Sequence, residues 1–528
     1  MFGLSTRQRL YTLLGLLTCM VAPLASAAAD PVELGRKIYV QGVRPNGEPL
    51  RATSAGNSML SGEQAACIAC HRKSAMGGRE GGVIVSPVTG PILYAKPQPY
   101  WPRRPGREAQ EITPLRQESR IAYDDRRLAR AIRTGVDASG KSLHPLMPRY
   151  DLGDADIDAL IAYLRQLSAA PVPGLEDGTL HLATIISADA DAERSMTVVE
   201  TLRAWAGSDA LGTTPVDLQI WSLEGPATQW EEQLDSYYRA RPVYAVISGA
   251  GRAQWGPVRE FCELNGVPCL FPVIDEGPVS AQDFYSMYFS GGVTTESKIL
   301  AGYLNGLSPR PARVVQLVSD QSGNNAARIL AAQLKDAVLE TRNWNPESPG
   351  AALEALGPTD ALVGWLSPAQ LNALAQTRPQ GTDVAHLLFS SQLAPPQKTD
   401  LPIPWRKQAR WISLRSDPKR RQGNAVLALN PWLAQLKLAP RDGALQSEIY
   451  AAVYYFMDAL ARMRGNWSRE FLLETLESAN YTRPAAAAAY FSLSLGPGQR
   501  EAAKAGYLLG FDGPELDQLV TKGLRLSP

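Results

Sequence analysis

The spacing of apolar positions changes character near residue 170. Before it, apolar residues recur at intervals of three and four. Ile157, Leu160, Ile161, Leu164 and Leu167 form one stripe behind Asp154, with Asp156 and Asp158 in the first turn. Carboxylates there oppose the positive helix end, so the pattern predicts a helix from Asp154 to about Leu167. Pro31 after Asp30 opens another helix, Val32 to Gln41, which Gly42 ends and which carries Gly35 and Tyr39 on one face. A third helix is expected from Asp124 to Arg133, stopped by Gly135. The stretch 169–178, A-A-P-V-P-G-L-E-D-G, breaks the period and predicts a linker stiffened by proline. Beyond it, short apolar runs alternate with amphipathic segments. Strands are expected at 180–186, 216–221, 243–248 and 267–273, with helices at 192–206, 227–240 and 253–265. A second set has strands at 314–319, 361–365, 386–390 and 411–414, with helices at 295–306, 323–339, 367–376, 445–463 and 468–477. Near-continuous Val/Ile/Leu runs between helices predict parallel sheets covered on both faces, and two sets predict two lobes.

One motif adds chemistry that periodicity does not. Cys67-Ile68-Ala69-Cys70-His71 has the C-x-x-C-H spacing of covalent haem attachment. Each thiol can add to a vinyl group, and the following His then falls beside the iron. With five Cys and four His in 528 residues, composition alone yields the pattern roughly 0.0004 times, so it is not noise. Zinc would need four ligands, and no second Cys or His cluster stands nearby in the sequence. A redox dithiol would not need the His.

The N-terminal residues and the C-x-x-C-H motif point to the same compartment. Arg7 and Arg9, a mostly apolar run from Leu10 to Leu24 and Ala25-Ser26-Ala27 predict a cleaved export signal over residues 1–29. The run is broken by Gly15 and Pro23 and is short for a membrane span. No later segment holds eighteen consecutive apolar residues, so no transmembrane segment is expected in the mature chain. An oxidising periplasm is the expected site. Cys262 and Cys269, seven apart, then form either a disulfide or two buried thiols, and spacing alone leaves both open.

Charge changes the picture little. The chain carries 53 Lys+Arg and 52 Asp+Glu, which gives no footprint for nucleic acid. Residues 30–170 hold 20 basic and 15 acidic groups, and residues 171–528 hold 31 and 37. The mild basic excess of the first part fits either an ordinary solvated surface or an acidic redox partner.

The helix with Gly35 and Tyr39, the C-x-x-C-H motif, L-H-P-L-M-P-R-Y at 143–150 and D-x-D-I-x-A-L-I-A-Y-L-R at 154–165 together resemble the class I cytochrome c family. Within it they look closest to the cytochrome subunits serving quinone-dependent alcohol dehydrogenases. The resemblance implies a small all-α domain over residues 31–168, its terminal helices crossing at Gly35. It implies one haem c, attached at Cys67 and Cys70, with His71 and Met147 as axial ligands. A thioether is soft and raises the potential, which suits electron transfer. His144 is the rival ligand, and Met59 and Met76 are expected to pack or lie in loops. The segment 86–122 departs from a minimal cytochrome. Its prolines, including Pro97, Pro99 and Pro102, are interleaved with Tyr94, Tyr100 and Trp101. It is expected to wrap the haem edge or face a partner.

Residues 179–525 resemble the type 1 periplasmic binding proteins, in the branch of the leucine/isoleucine/valine and amide receptors. The order of elements carries the resemblance, with V-Y-A-V-I-S-G-A-G at 243–251, G-V-P-C-L-F-P-V at 266–273, A-R-V-V-Q-L-V-S-D-Q-S-G at 312–323 and the closing stretch 492–513. It implies a two-lobed α/β domain holding a small ligand at the carboxyl ends of its strands. The expected contacts are Ser187, Asp189, Ser248, Gly249, Asp275, Glu276 and Asp320. The loop after Ile186 lacks the Pro- and Gly-rich form of amino-acid receptors, and Asp320-Gln-Ser-Gly lacks their aromatic. A free amino acid is therefore not the expected ligand. His181 and His386 are expected to be structural, and no hydrolase or P-loop motif appears.

The expected function is a periplasmic electron carrier with a small-molecule module. Its partner would be a quinone-dependent dehydrogenase or another cytochrome. The alternative is a solute receptor for ABC-type transport or sensing, with the haem as redox gauge. A haem enzyme would need an open iron position, which Met147 closes.

Overall fold

The structure is a computed structural model that describes residues 30–80, 82–95, 121–208, 211–212, 214–478, 489–490 and 493–527. The export signal expected at 1–29 and the proline-rich residues 96–120 lie outside the described residues. The chain divides into two compact units, Met1–Ala169 and Ala170–Pro528.

The first unit is built on helices Pro31–Gln41, Asp125–Thr134 and Asp154–Gln166. The Asp30 carboxylate accepts from Val32 N and the Asp124 carboxylate from Arg127 N, so each start is satisfied by the residue the sequence placed there. The first and last helices cross at Gly35. A Cβ there would stand 2.0 Å from the Ala159 carbonyl oxygen, so only glycine lets the two backbones approach this closely. Ile38, Tyr39, Leu128, Ile132, Ile157, Leu160 and Leu164 form the core around the crossing.

This unit is not all helical, contrary to the expectation. Arg51–Thr53 pairs antiparallel with Met59–Ser61 and with Arg149–Tyr150, and Gly78–Glu80 pairs with Val83–Val85. These strands are two or three residues long, too short to show the alternation by which a strand is recognised.

The second unit has two sheets. In the first, Thr179–Ile186 runs parallel to Val216–Ser222 and Ala245–Ile247, and Cys269–Leu270 and Ser286–Met287 continue the order. In the second, the order is Val338–Asn343, Arg313–Val318, Asp360–Trp365, His386–Ser390, Ala409–Ser413, Gly506–Asp512, Gln518–Leu526. The last two strands are antiparallel, as is Leu175–Glu176 against Thr179–Ile186, so the sheets are mixed rather than purely parallel. The crossover helices fall where the periodicity puts them, among them Ala192–Ala206, Val293–Gly306 and Gly443–Met463. The helix expected at 323–339 stops at Gln333, and Val338–Asn343 is an edge strand. Cys262 and Cys269 are joined in a disulfide between helix Gly256–Asn265 and strand Cys269–Leu270.

Candidate functional site

In the first unit the site begins with a single helical turn, Ile68–His71. The chain then doubles back. Gly77 N donates to the His71 carbonyl at 3.0 Å and Val88 N to the Ala75 carbonyl at 2.8 Å. Gly77 has φ +70°, and a Cβ there would stand 2.2 Å from the Val85 carbonyl oxygen. This tight return carries the Ser86 carbonyl to within 2.9 Å of His71 Nδ1. The His71 ring is buried, and burial pushes its pKa below the usual imidazole range, which favours the neutral form. A neutral ring whose Nδ1–H is held by a carbonyl offers Nε2 to a metal in a fixed orientation. The Tyr39 hydroxyl donates to the Arg72 carbonyl at 2.8 Å, which ties this turn to the first helix.

Cys67 is half-buried and packs on the core; burial pushes its thiol up to about 12. The Tyr150 hydroxyl hydrogen-bonds to Cys67, and burial raises that phenol well above its usual range. Tyr150 is paired with Ala52 in the small sheet and lies three residues after Met147. The structure thus brings the 147–150 segment to the C-x-x-C-H turn. Met147 is half-buried against the same core as Cys67, and the Arg149 guanidinium donates to its carbonyl. His144 is exposed, its Nδ1 accepting from Leu146 N at 3.2 Å. Met59 is 68% exposed. Among the described residues, no group of three or more His, Cys, Asp or Glu is placed to hold a metal ion. One imidazole, one thioether near the core and two cysteines three apart are a donor set that fits haem c.

In the second unit, the seven expected contact residues lie near the carboxyl ends of strands, yet their carboxylates and the Ser187 hydroxyl are engaged by the protein itself, while the Ser248 hydroxyl is buried without a hydrogen-bond partner. Arg252 bridges Asp275 and Asp320, each at 2.9 Å, and Arg194 reaches Asp275 at 2.9 Å. Asp189 accepts from the backbone N–H groups of Arg252, Ala253 and Gln254, each at 3.1 Å, and from the Ser187 hydroxyl. Asp320 also caps helix Gln321–Gln333, and Glu276 accepts from Asn325 at 2.7 Å. Ser248 is buried at φ +54°, and a Cβ on Gly249 would stand 3.0 Å from the Trp255 ring. Sequence reasoning missed Arg194, in the first turn of helix Ala192–Ala206, and Arg252, in a loop, because neither position carries a periodic signature of the carboxylate it meets.

A cavity of about 840 Å³ lies beside this network, and none of the seven residues lines it. Its wall includes Arg194, Gln392, Lys398, Arg415, Arg421 and Asp442. Arg415 pairs with Glu448 at 2.5 Å, and Lys398 pairs with Asp442 at 3.1 Å and Glu193 at 3.4 Å.

Comparison with known proteins follows the division into units. Residues 61–168 match the family model for cytochrome c, so this stretch is a cytochrome c domain, which implies a haem cofactor. Among solved structures, a possible leucine/isoleucine/valine-binding protein from Rhodopirellula baltica is 12% identical with a TM-score of 0.50, over 67% of this chain and 98% of its own. A putative branched-chain amino acid ABC transporter protein from Rhodospirillum rubrum is 15% identical with a TM-score of 0.48, over 65% of this chain and all of its own. A leucine-binding protein from Thermotoga maritima is 12% identical with a TM-score of 0.48, over 66% and 99%. A search of curated proteins gives no match. The protein thus joins a cytochrome c domain to a domain with the leucine/isoleucine/valine-binding-protein fold.

Proposed function

We propose that the protein is a periplasmic electron carrier with a small-molecule-binding module. One haem c is held through Cys67 and Cys70, with His71 and Met147 as its axial ligands. The observation that carries this reading is the buried His71 ring, aimed by the Ser86 carbonyl at 2.9 Å, within a C-x-x-C-H turn of a cytochrome c domain. Bound haem supplies one-electron ferric/ferrous chemistry. His71 donates a nitrogen in a fixed tautomer and orientation. The Met147 thioether favours the reduced state and raises the potential. The apolar core around Cys67 limits water at the site.

The partner proposed is a quinone-dependent dehydrogenase or another cytochrome, on the likeness of the haem module to the cytochrome subunits of such enzymes. Export by the leader at residues 1–29 fits both the attachment chemistry and the binding-protein fold.

Met147→Ala tests the ligand assignment. The ferric protein should lose the far-red charge-transfer band of a Met-ligated haem, and its potential should fall. His144→Ala should leave both unchanged. An unaltered axial spectrum in Met147→Ala would overturn the assignment.

A further inference from the structure

The wall of the cavity in the second unit holds a half-buried cation, Arg421, that no carboxylate pairs with among the described residues. Arg421 lies in helix Pro418–Asn424, which lines the cavity, and is half-buried. Its Nε is buried without a hydrogen-bond partner, and among the described residues no carboxylate pairs with it. Burial first, and then the neighbouring Arg415, lowers its pKa to about 10. An arginine held this way lacks the direct hydrogen-bonded partner that buried charges ordinarily receive.

Asp417 and Glu448 act on the Arg421 charge from a distance and offset burial only in part, since each is engaged elsewhere. Asp417 accepts from Lys419 N, Arg420 N and Thr521. Glu448 faces Arg415, while Glu193 and Asp442 face Lys398. Asp191 pairs with Arg194 at 3.4 Å. The rest of the wall includes apolar surface from Val273, Pro395, Pro396, Leu445 and Leu519. The volume is within the range of sites for small organic molecules, and far more than a bare inorganic anion needs.

We infer that this cavity binds an organic carboxylate with an apolar body, its carboxylate on the Arg421 guanidinium and its body against the proline- and leucine-lined wall. The inference rests on reading the second unit as a ligand-binding module. A guanidinium suits a carboxylate because its planar fork can give two parallel hydrogen bonds. An amino acid fits less well, because the buried acids near Arg421 are already engaged and the remaining lining acid, Asp517, is exposed to solvent.

Calorimetry on the full-length haem protein tests this with hexanoate, phenylacetate, hexan-1-ol, leucine and inorganic phosphate. The two carboxylates should bind at least tenfold more tightly than the other three. Arg421→Gln should weaken hexanoate at least tenfold, and Arg421→Lys should restore part of the loss. The haem absorbance and a thermal melt check that both variants are folded. Equal affinity for hexanoate and hexan-1-ol, or unchanged hexanoate affinity in folded Arg421→Gln, overturns the proposal. Phosphate binding more tightly than either organic acid also overturns it. Binding of leucine or hexan-1-ol without the carboxylates overturns the proposal while the module reading stands. No heat and no thermal shift from any probe overturns both.

Discussion

Glu296 shows how a single buried group couples this protein to its solvent. It lies in helix Val293–Gly306 and accepts from the hydroxyls of Ser390 and Ser391 and from Gln392 N at 3.2 Å. Ser391 and Gln392 line the cavity, so the carboxyl anchors one of its loops from behind. Burial raises its pKa to about 7, against the opposing effect of those hydrogen bonds. The folded state therefore holds a proton that the unfolded chain has released by pH 5. Stability from this group is complete below the unfolded carboxyl pKa of about 4.5 and is lost as pH rises to about 7, a swing of about 3 kcal/mol. Denaturant midpoints of the wild type should fall between pH 4.5 and 7, and Glu296→Gln should remove that part of the slope. Parallel pH profiles for the two proteins would refute the role. At this scale the sequence is legible only where chemistry is local. C-x-x-C-H is readable because its partners are chain neighbours. Arg252 and Arg421 are not, because Arg252 meets Asp320 across 68 residues and Arg421 is set apart only by a buried Nε without a hydrogen-bond partner, which no local window reports.

At the scale of elements, the crossing at Gly35 makes the sharpest prediction. Gly35→Ala puts a methyl group 2.0 Å from the Ala159 carbonyl oxygen and 2.8 Å from Tyr163 Cβ. Backbone cannot yield as a flexible side chain does, so the cost should be about 3 kcal/mol, at the upper end of overpacking. A melt followed at the Soret band should fall by roughly 10 °C. An unchanged melt would mean the helices do not touch there. Both helices of this crossing were legible because a buried stripe at three and four needs no tertiary information. The same holds for strands buried on both faces, such as Asp360–Trp365. Val338–Asn343 was not legible: it is an edge strand with both faces partly exposed, and its sequence V-L-E-T-R-N continues the helical period. The strands Arg51–Thr53 and Arg149–Tyr150 are set by pairing between segments about 100 residues apart, which no local window reports.

For the whole molecule, the physical fact of most consequence is that the apolar residues sort into separate cores. Ile38, Tyr39 and Leu160 belong to one cluster, whereas Trp205, Phe456 and Ile449 belong to another. Calorimetric unfolding should therefore resolve two transitions, with Gly35→Ala lowering one and leaving the other in place. A single transition that moves as a unit would show the two cores to be energetically one. The Cys262–Cys269 bond, finally, has a bearing on how such a chain is made. Its two sulfurs come from neighbouring elements only seven residues apart, so the loop closes early and locally. Among the described residues that leaves the pair at 67 and 70 as the remaining thiols. Sulfur is thereby sorted by partner: with Cys262 and Cys269 joined to each other, neither is left to cross-pair with Cys67 or Cys70.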